Sequence, residues 1–295
     1  MSFTDAPFSL LAHPYSSPVV GAVAYEMGNT NARNAVVFVG GLTDGPHSVP
    51  YIRTVARTLE ACDDLDYSLF EIRIRSSFIG FGTSSLFNDV EDISSLVTYL
   101  RSINREKVVL FGHSTGCQDC MEYTNYKRHP KNAPVDGFVL QAPVSDRDGI
   151  DKLFPTYQES LDLADKMIAS GHSQDCLPQE RAGPTLDAPV SAYRFKSLIG
   201  KHGDDDYFSS DLDDETVKLF WGRYNVPVLV LHSEKDQYVP AGVNQTALNK
   251  KYQAANHFVS PLSCVVPGAN HAVEEPEAQA FLSKRVVEFL RGLEK

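Results

Sequence analysis

A serine set between two glycines is the first feature of this sequence that could do chemistry. Residues 108–111 form a short apolar run typical of a buried strand, and a G-x-S-x-G pattern follows at once at 112–116. This pattern is typical of a sharp strand-to-helix turn that exposes one hydroxyl, with glycines where side chains would collide. We therefore predict that Ser114 is a nucleophile and that the N–H of Thr115 donates to an oxyanion. The alternative is a turn rich in glycine and serine that has no chemical role.

A carboxylate and a histidine that could activate this serine follow two later apolar runs. Asp236 stands in the loop after the run at 226–232, and His271 stands in a glycine-containing loop after the run at 262–266. The chain order of serine, acid and histidine is that of the α/β-hydrolase arrangement and differs from the orders in chymotrypsin and subtilisin. The sequence therefore predicts a triad in which His271 takes the serine proton and Asp236 orients the imidazole.

Other polar residues could compete for these roles. Asp146 and Asp148 also follow an apolar run and are the alternative acids. We prefer Asp236 because it lies one strand before the strand that leads to the histidine, where the acid is expected. His113 lies inside the serine turn, at a position that usually holds a packing residue, so we do not predict it as the base.

The loop at 39–45 is the candidate for the second oxyanion donor. It follows an early apolar strand and contains three glycines, which would let the backbone approach a substrate closely. We predict that the N–H of Leu42 is this donor, with Gly41 as the nearest alternative. A simple turn without a chemical role would have the same composition.

Alternating strand and helix patterns must position these residues. Apolar and alternating runs predict strands at 19–25, 35–39, 69–75, 108–111, 134–142, 226–232 and 262–266. Helical spacing of apolar residues predicts helices at 50–62, at 87–100 with Asn88 as N-cap, at 241–254, and from Pro276 onward. This order predicts an α/β protein with the α/β-hydrolase fold, in which helices flank a mostly parallel central sheet.

A long segment between two predicted strands interrupts this alternation. Residues 145–225 are too many for a simple connection, so we expect a lid or cap inserted into a single domain spanning 1–295. Within this segment, residues 204–215 include seven acidic side chains and neither lysine nor arginine. This acidic run is open to three interpretations: a solvated loop, a metal site, or a surface that selects a cationic substrate.

Composition excludes several classes of partner. The formal net charge of −11 over 295 residues argues against a general role on nucleic acid or on an anionic membrane. No apolar run approaches the roughly 18 residues of a membrane span, and the N-terminus lacks the pattern of a secretory signal. The five cysteines are scattered and odd in number, which is typical of reduced thiols in a cytoplasmic protein.

Four segments together resemble a largely fungal α/β-hydrolase family that was long catalogued as a domain of unknown function. The segments are GGLTDG at 40–45, GHSTGCQD at 112–119, LQAPVSDR at 140–147 and DDDYFSSD at 204–211. This family includes intracellular siderophore ester hydrolases. The resemblance implies a cytosolic serine esterase with Ser114, Asp236 and His271 as its triad. It also implies small-molecule substrates of the fusarinine-type hydroxamate ester class, cleaved inside the cell to release iron.

The residues themselves leave other functions open. The same triad would serve another carboxylesterase, a lactonase or a thioesterase, and the same fold could belong to a binding protein that does not turn over. The predicted chemistry requires neither a metal nor an organic cofactor, because the serine, the histidine and the backbone amides supply every step.

Overall fold

The computed structural model describes residues 7–183 and 188–294, in which the chain forms a central sheet of eight strands. Residues 1–6 of the N-terminus considered for a signal, and residues 184–187 of the predicted insertion, lie outside the described part. The strands are β1 (Leu11–Pro14), β2 (Val23–Met27), β3 (Asn34–Val39), β4 (Tyr67–Glu71), β5 (Val108–His113), β6 (Gly137–Gln141), β7 (Val228–Ser233) and β8 (Cys264–Val266).

The sheet is mostly parallel, as the sequence predicts. The strand order is β1-β2-β4-β3-β5-β6-β7-β8, and only β1 with β2 and β2 with β4 pair in antiparallel fashion. The carboxyl ends of β5, β6, β7 and β8 therefore meet at one edge of the sheet. In open sheets of this kind, ligands bind outside the carboxyl ends of the strands. The register sets His113 beside Gln141 at the ends of β5 and β6.

Helices cover both faces of the sheet, which explains why its central strands are apolar on both sides. The helices are α1 (Tyr51–Glu60), α2 (Leu86–Ser102), α3 (Gly116–Tyr123), α4 (Ile150–Leu153), α5 (Tyr157–Ala169), α6 (Ala192–Ile199), α7 (Asp214–Trp221), α8 (Gln245–Ala255) and α9 (Pro276–Leu293). Helices α1 and α9 pack on the face that includes Val36 and Phe38. Helices α2, α3, α7 and α8 pack on the face that includes Val37 and Val39.

The structure departs from the prediction where charges follow β4. The strand predicted at 69–75 ends at Glu71, and all five of its residues are buried. Arg75 lies in the following loop and forms an ion pair with Asp92 of α2. The alternation of apolar and charged residues thus reflects a buried strand followed by a charged loop, and not a half-exposed strand. Helix α2 is capped by Ser85 rather than Asn88, since the Ser85 side chain accepts from the Asn88 N–H.

The long segment between β6 and β7 contains α4, α5, α6 and α7. Its first three helices contribute to a separate apolar cluster that includes Phe154, Ala164 and Phe195. Helix α7 packs differently, because Val217 and Trp221 belong to the core on the sheet. No helix in the described ranges 7–183 and 188–294 is both long and apolar enough to cross a membrane.

Candidate active site

The turn between β5 and α3 holds Ser114 in a backbone conformation that ordinary residues rarely adopt. Ser114 has φ 53°, in the left-handed region. A Cβ added at Gly112 would lie 2.3 Å from the carbonyl oxygen of Gly116, and one added at Gly116 would lie 2.3 Å from that of Val39. Both glycines are therefore required sterically. The resulting turn sets Ser114 at the N-terminal end of α3, beyond the carboxyl end of β5.

His271 and Asp236 lie together in the structure, although 35 residues separate them. The Nδ1 atom of His271 lies 2.8 Å from Oδ2 of Asp236, and both residues are largely buried. Backbone contacts fix the pair, because the Tyr238 N–H donates to Oδ1 of Asp236 and the His271 N–H donates to the Gln237 side chain. An imidazole whose Nδ1 faces a carboxylate presents Nε2 as the proton acceptor.

The alternative acids have other partners. Asp146 accepts a hydrogen bond at 3.0 Å from the Gln118 side-chain amide. Asp148 accepts a hydrogen bond at 2.9 Å from the Ser210 N–H. Among the three carboxylates considered from the sequence, Asp236 is the one hydrogen-bonded to His271 in the structure.

The loop after β3 brings its backbone against the serine. A Cβ added at Gly41 would lie 2.6 Å from Cβ and 3.1 Å from Oγ of Ser114. The Gly41 N–H already donates to Oδ2 of Asp44 at 2.9 Å, so it is engaged within its own loop. The next amide, that of Leu42, remains the candidate donor on this loop. The Thr115 N–H is the candidate on the other side, because Thr115 is the N-cap of α3.

The sequence does not predict a buried hydrogen-bond network around Gln141, which contacts both His113 and His271. Gln141, at the end of β6, accepts a hydrogen bond from the Tyr51 hydroxyl at 3.1 Å and contacts Nδ1 of His113. Its amide nitrogen donates to Oγ of Ser233 at 3.0 Å and to the backbone oxygen of His271 at 3.4 Å. The signal in the sequence for this network is Gln141 itself, a polar residue at the end of an otherwise apolar strand.

His113 lies in this network as a neutral group close to His271. Its ring centroid is 5.0 Å from that of His271, and the residue is buried. Burial, followed by the neighbouring His271, lowers the pKa of His113 to about 4. A neutral ring at neutral pH adds no positive charge next to His271, so it does not oppose protonation of the proposed base.

The acidic run at 204–215 is more than a solvated loop. Asp205 is 3% exposed and lies 2.6 Å from the Arg194 guanidinium, while Asp206 forms an ion pair with Arg147. Asp204 pairs with Arg128. The first three carboxylates of the run are thus already engaged by arginines from other segments, which a local inspection of the sequence could not reveal.

A cavity of ≈ 120 Å³ opens beside the loop at 39–45. Leu42 lies on one wall, and residues of the segment between β6 and β7 form most of the others. The lining is apolar apart from Asp146. Leu42 follows Gly41, which approaches Ser114, so this cavity adjoins the candidate site.

Comparison with known proteins gives three close relatives. The fission yeast protein "UPF0613 protein PB24D3.06c" of Schizosaccharomyces pombe is 31% identical, over 96% of each chain. "Fusarinine C esterase sidJ" of Aspergillus fumigatus is 28% identical, over 97% of this chain and 96% of its own. The solved structure "Siderophore hydrolase EstB from Aspergillus fumigatus" superposes with a TM-score of 0.83 at 27% identity, covering 99% of both chains.

A family model covers almost the whole sequence. Residues 1–291 match the family described as a protein of unknown function, DUF1749. This match confirms the resemblance indicated by the four motifs, and the structural likeness confirms the α/β-hydrolase fold. The chain therefore belongs to the DUF1749 family of α/β-hydrolases and is a carboxylic ester hydrolase.

Proposed function

We propose that this enzyme is a serine esterase whose nucleophile, base and acid are Ser114, His271 and Asp236. The 2.8 Å contact between His271 Nδ1 and Asp236 Oδ2 carries the proposal, because it fixes the tautomer that a general base requires. The left-handed backbone of Ser114 supports its role, since strained backbone persists where the surrounding structure holds it for function.

The proposed reaction begins when Oγ of Ser114 attacks the ester carbonyl carbon and Nε2 of His271 takes its proton. Asp236 stabilises the resulting imidazolium. The N–H groups of Thr115 and Leu42 donate to the oxyanion, and loss of one such donor typically costs roughly 100- to 1000-fold in kcat. Collapse of the intermediate expels the alcohol, which takes the proton from His271. Water, deprotonated by the same imidazole, then attacks the acyl carbon. The bond to Ser114 Oγ breaks, His271 returns the proton to that oxygen, and the acid product leaves.

We further propose that the substrates are siderophore esters of the fusarinine type, cleaved inside the cell so that iron is released. The names of the two Aspergillus fumigatus relatives, a fusarinine C esterase and a siderophore hydrolase, support this substrate class. Their matches extend over nearly the full length of this chain. The scattered, odd-numbered cysteines support a cytoplasmic location, where thiols stay reduced.

Labelling with a fluorophosphonate tests the nucleophile. We expect one covalent adduct per chain, which peptide mass spectrometry assigns to Ser114. His271→Ala should abolish labelling, because the serine loses its base. Asp236→Asn should lower kcat by about 10⁴-fold, as in triads whose acid is neutralised.

Asp148→Asn is the matched control, since it removes one carboxylate that also follows a strand but contacts Ser210 instead of His271. Its labelling should equal that of the native protein. An adduct on another residue, or none on the native protein, would refute the proposed nucleophile. Hydrolysis of ferric and iron-free hydroxamate esters, compared with simple carboxylic esters and thioesters, then tests the substrate class.

A further inference from the structure

The cavity beside Leu42 has a volume of ≈ 120 Å³ and a lining that is apolar apart from Asp146. A short aliphatic chain suits such a lining, because it buries apolar surface there. Apolar side chains from α4 and the residue after it, and from α6 and the loop before it, line the cavity, among them Ile150, Phe154 and Phe195. A chain of a few methylene groups would fit against this wall. The acyl part suits the pocket better than the alcohol, because it stays bound to the enzyme through both steps.

The polar end of the pocket presents one carboxylate, that of Asp146. Asp146 is the one charged side chain among the residues that line the cavity. Gln118, which is 1% exposed, donates from its Nε2 to Asp146. A carboxylate in an otherwise apolar lining needs hydrogen-bond donors, so this end of the pocket is suited to a ligand that donates them.

Charge around the pocket favours a cation over a neutral donor. The groups whose charges act on Asp146 are Asp205, Asp206 and Arg194. Arg194 is also shared with two further buried carboxyls, those of Asp89 and Asp119. Arg194 is thus shared among several buried acids, whereas Asp206 has its own partner in Arg147. Burial, followed by the neighbouring Asp205, raises the pKa of Asp146 to about 7.

We propose that this pocket binds a short aliphatic acyl arm that ends in a primary ammonium, held by the Asp146 carboxylate. The proposal rests on the proposed esterase function at Ser114 and adds the chemistry of the acyl group. It also assigns the selection of a cationic substrate to Asp146 and not to the acidic run at 204–215. There Asp204, Asp205 and Asp206 are occupied by arginines, whereas Asp146 faces the cavity.

Three methyl esters of equal chain length test the proposal: 6-aminohexanoate, 6-hydroxyhexanoate and hexanoate. We expect kcat/KM of the wild type to be highest for the amino ester. Asp146→Asn should lower the ratio of amino to plain ester by on the order of 10- to 100-fold, the range expected when a hydrogen bond to a charged group is lost. Asp148→Asn removes the same charge two residues away, outside the pocket lining, and should leave the ratio unchanged.

The pH dependence provides a second readout. The ratio of amino to plain ester should rise as pH passes through about 7, where Asp146 becomes ionised. A primary ammonium stays charged in this range, since its pKa is about 10.4. The proposed base acts on both esters alike, so its contribution cancels in the ratio. A flat ratio, a ratio unchanged by Asp146→Asn, or an equal rate for the hydroxy ester would overturn the proposal.

Binding to Ser114→Ala separates this inference from the proposed catalytic function. Calorimetry with methyl 6-aminohexanoate and methyl hexanoate measures the preference of the pocket without turnover. If no ester is hydrolysed and Ser114 is not labelled, the catalytic proposal fails. The inference about the pocket still stands if Ser114→Ala prefers the amino ester and the double variant with Asp146→Asn loses that preference. It fails if the two esters bind Ser114→Ala equally.

Discussion

At the scale of single residues, the proposed site depends on how closely the loop at 39–45 approaches Ser114. Gly41→Ala would add a Cβ 2.6 Å from Cβ of Ser114, so the loop, the serine or both must shift. We expect kcat to fall on the order of 100-fold, because a displacement of about 1 Å in a catalytic group can cost that much. Steady-state kinetics on a simple ester measures the loss.

The matched control for this substitution is Gly242→Ala. A Cβ at Gly242 would meet nothing within 4 Å, and this glycine has no left-handed backbone. Its kcat should equal that of the wild type. Circular dichroism of both variants checks that the fold is retained. A Gly41→Ala enzyme with unchanged kcat would mean that the loop does not approach the reacting atoms closely.

The main candidate residues could be predicted from the sequence because each follows an apolar strand. Ser114 is marked by its glycines, and Asp236 and His271 by their order in the chain. Gln141 could not be assigned its role in this way. Its contacts join residues separated by 28, 90, 92 and 130 positions, and they exist only because β5, β6 and β7 lie side by side in a fixed register.

At the scale of elements, an arginine in α6 joins the segment between β6 and β7 to the rest of the fold. Arg194 is 1% exposed, bonds to Asp205 and donates to the backbone oxygen of Phe81. Arg194→Met would leave the Asp205 carboxylate buried without its cation. We expect the free energy of unfolding to fall by about 3–5 kcal/mol, the usual cost of removing one partner of a buried pair. Urea unfolding measures this change.

Lys196→Met on the same helix is the control. Lys196 pairs with Asp165, and both side chains are about half exposed. An exposed pair is worth about 0–1 kcal/mol, so this variant should lose little. Equal losses in the two variants would show that the buried pair does not stabilise this segment more than a surface contact does.

Element boundaries were predicted less well than element types. The sequence predicts the start of β5 and of α9 correctly, because each has a clear apolar pattern and α9 begins with Pro276. The strand at β4 was extended too far, since Ile72 and Ile74 continue its alternation although they already lie in a loop. Both isoleucines are buried by packing from α2 and its neighbours, which the local sequence cannot report.

At the scale of the whole molecule, the formal net charge of −11 counts every carboxyl group as ionised, although some are buried. Burial is the largest cause of the raised pKa of Asp89, about 6, and of Asp146, about 7. Burial also lowers the pKa of His113 and that of His232 to about 4. The acids and the histidines therefore make opposite contributions to the pH dependence of stability.

The sign of each contribution follows from proton binding. A buried acid with a raised pKa holds more protons in the folded than in the unfolded state, so its stabilising effect is lost as pH rises from about 3.8 through its folded value. A histidine with a lowered pKa holds fewer protons when folded, so its contribution rises with pH between about 4 and 6.5. The contributions of these acids and these histidines to the free energy of unfolding partly cancel below about pH 6.5. Above it, of these two kinds of group, the acids alone change that free energy with pH.

We therefore expect the free energy of unfolding to be lower at pH 8 than at about pH 6.5, because Asp146 completes its ionisation in that interval. Urea unfolding at the two pH values measures the difference. Asp146→Asn should reduce it, since an amide does not titrate, whereas Asp148→Asn, which lies outside the pocket lining, should retain it. Equal stability at both pH values in the wild type, or an undiminished difference in Asp146→Asn, would show that the Asp146 carboxyl is ionised in the folded protein well below pH 7.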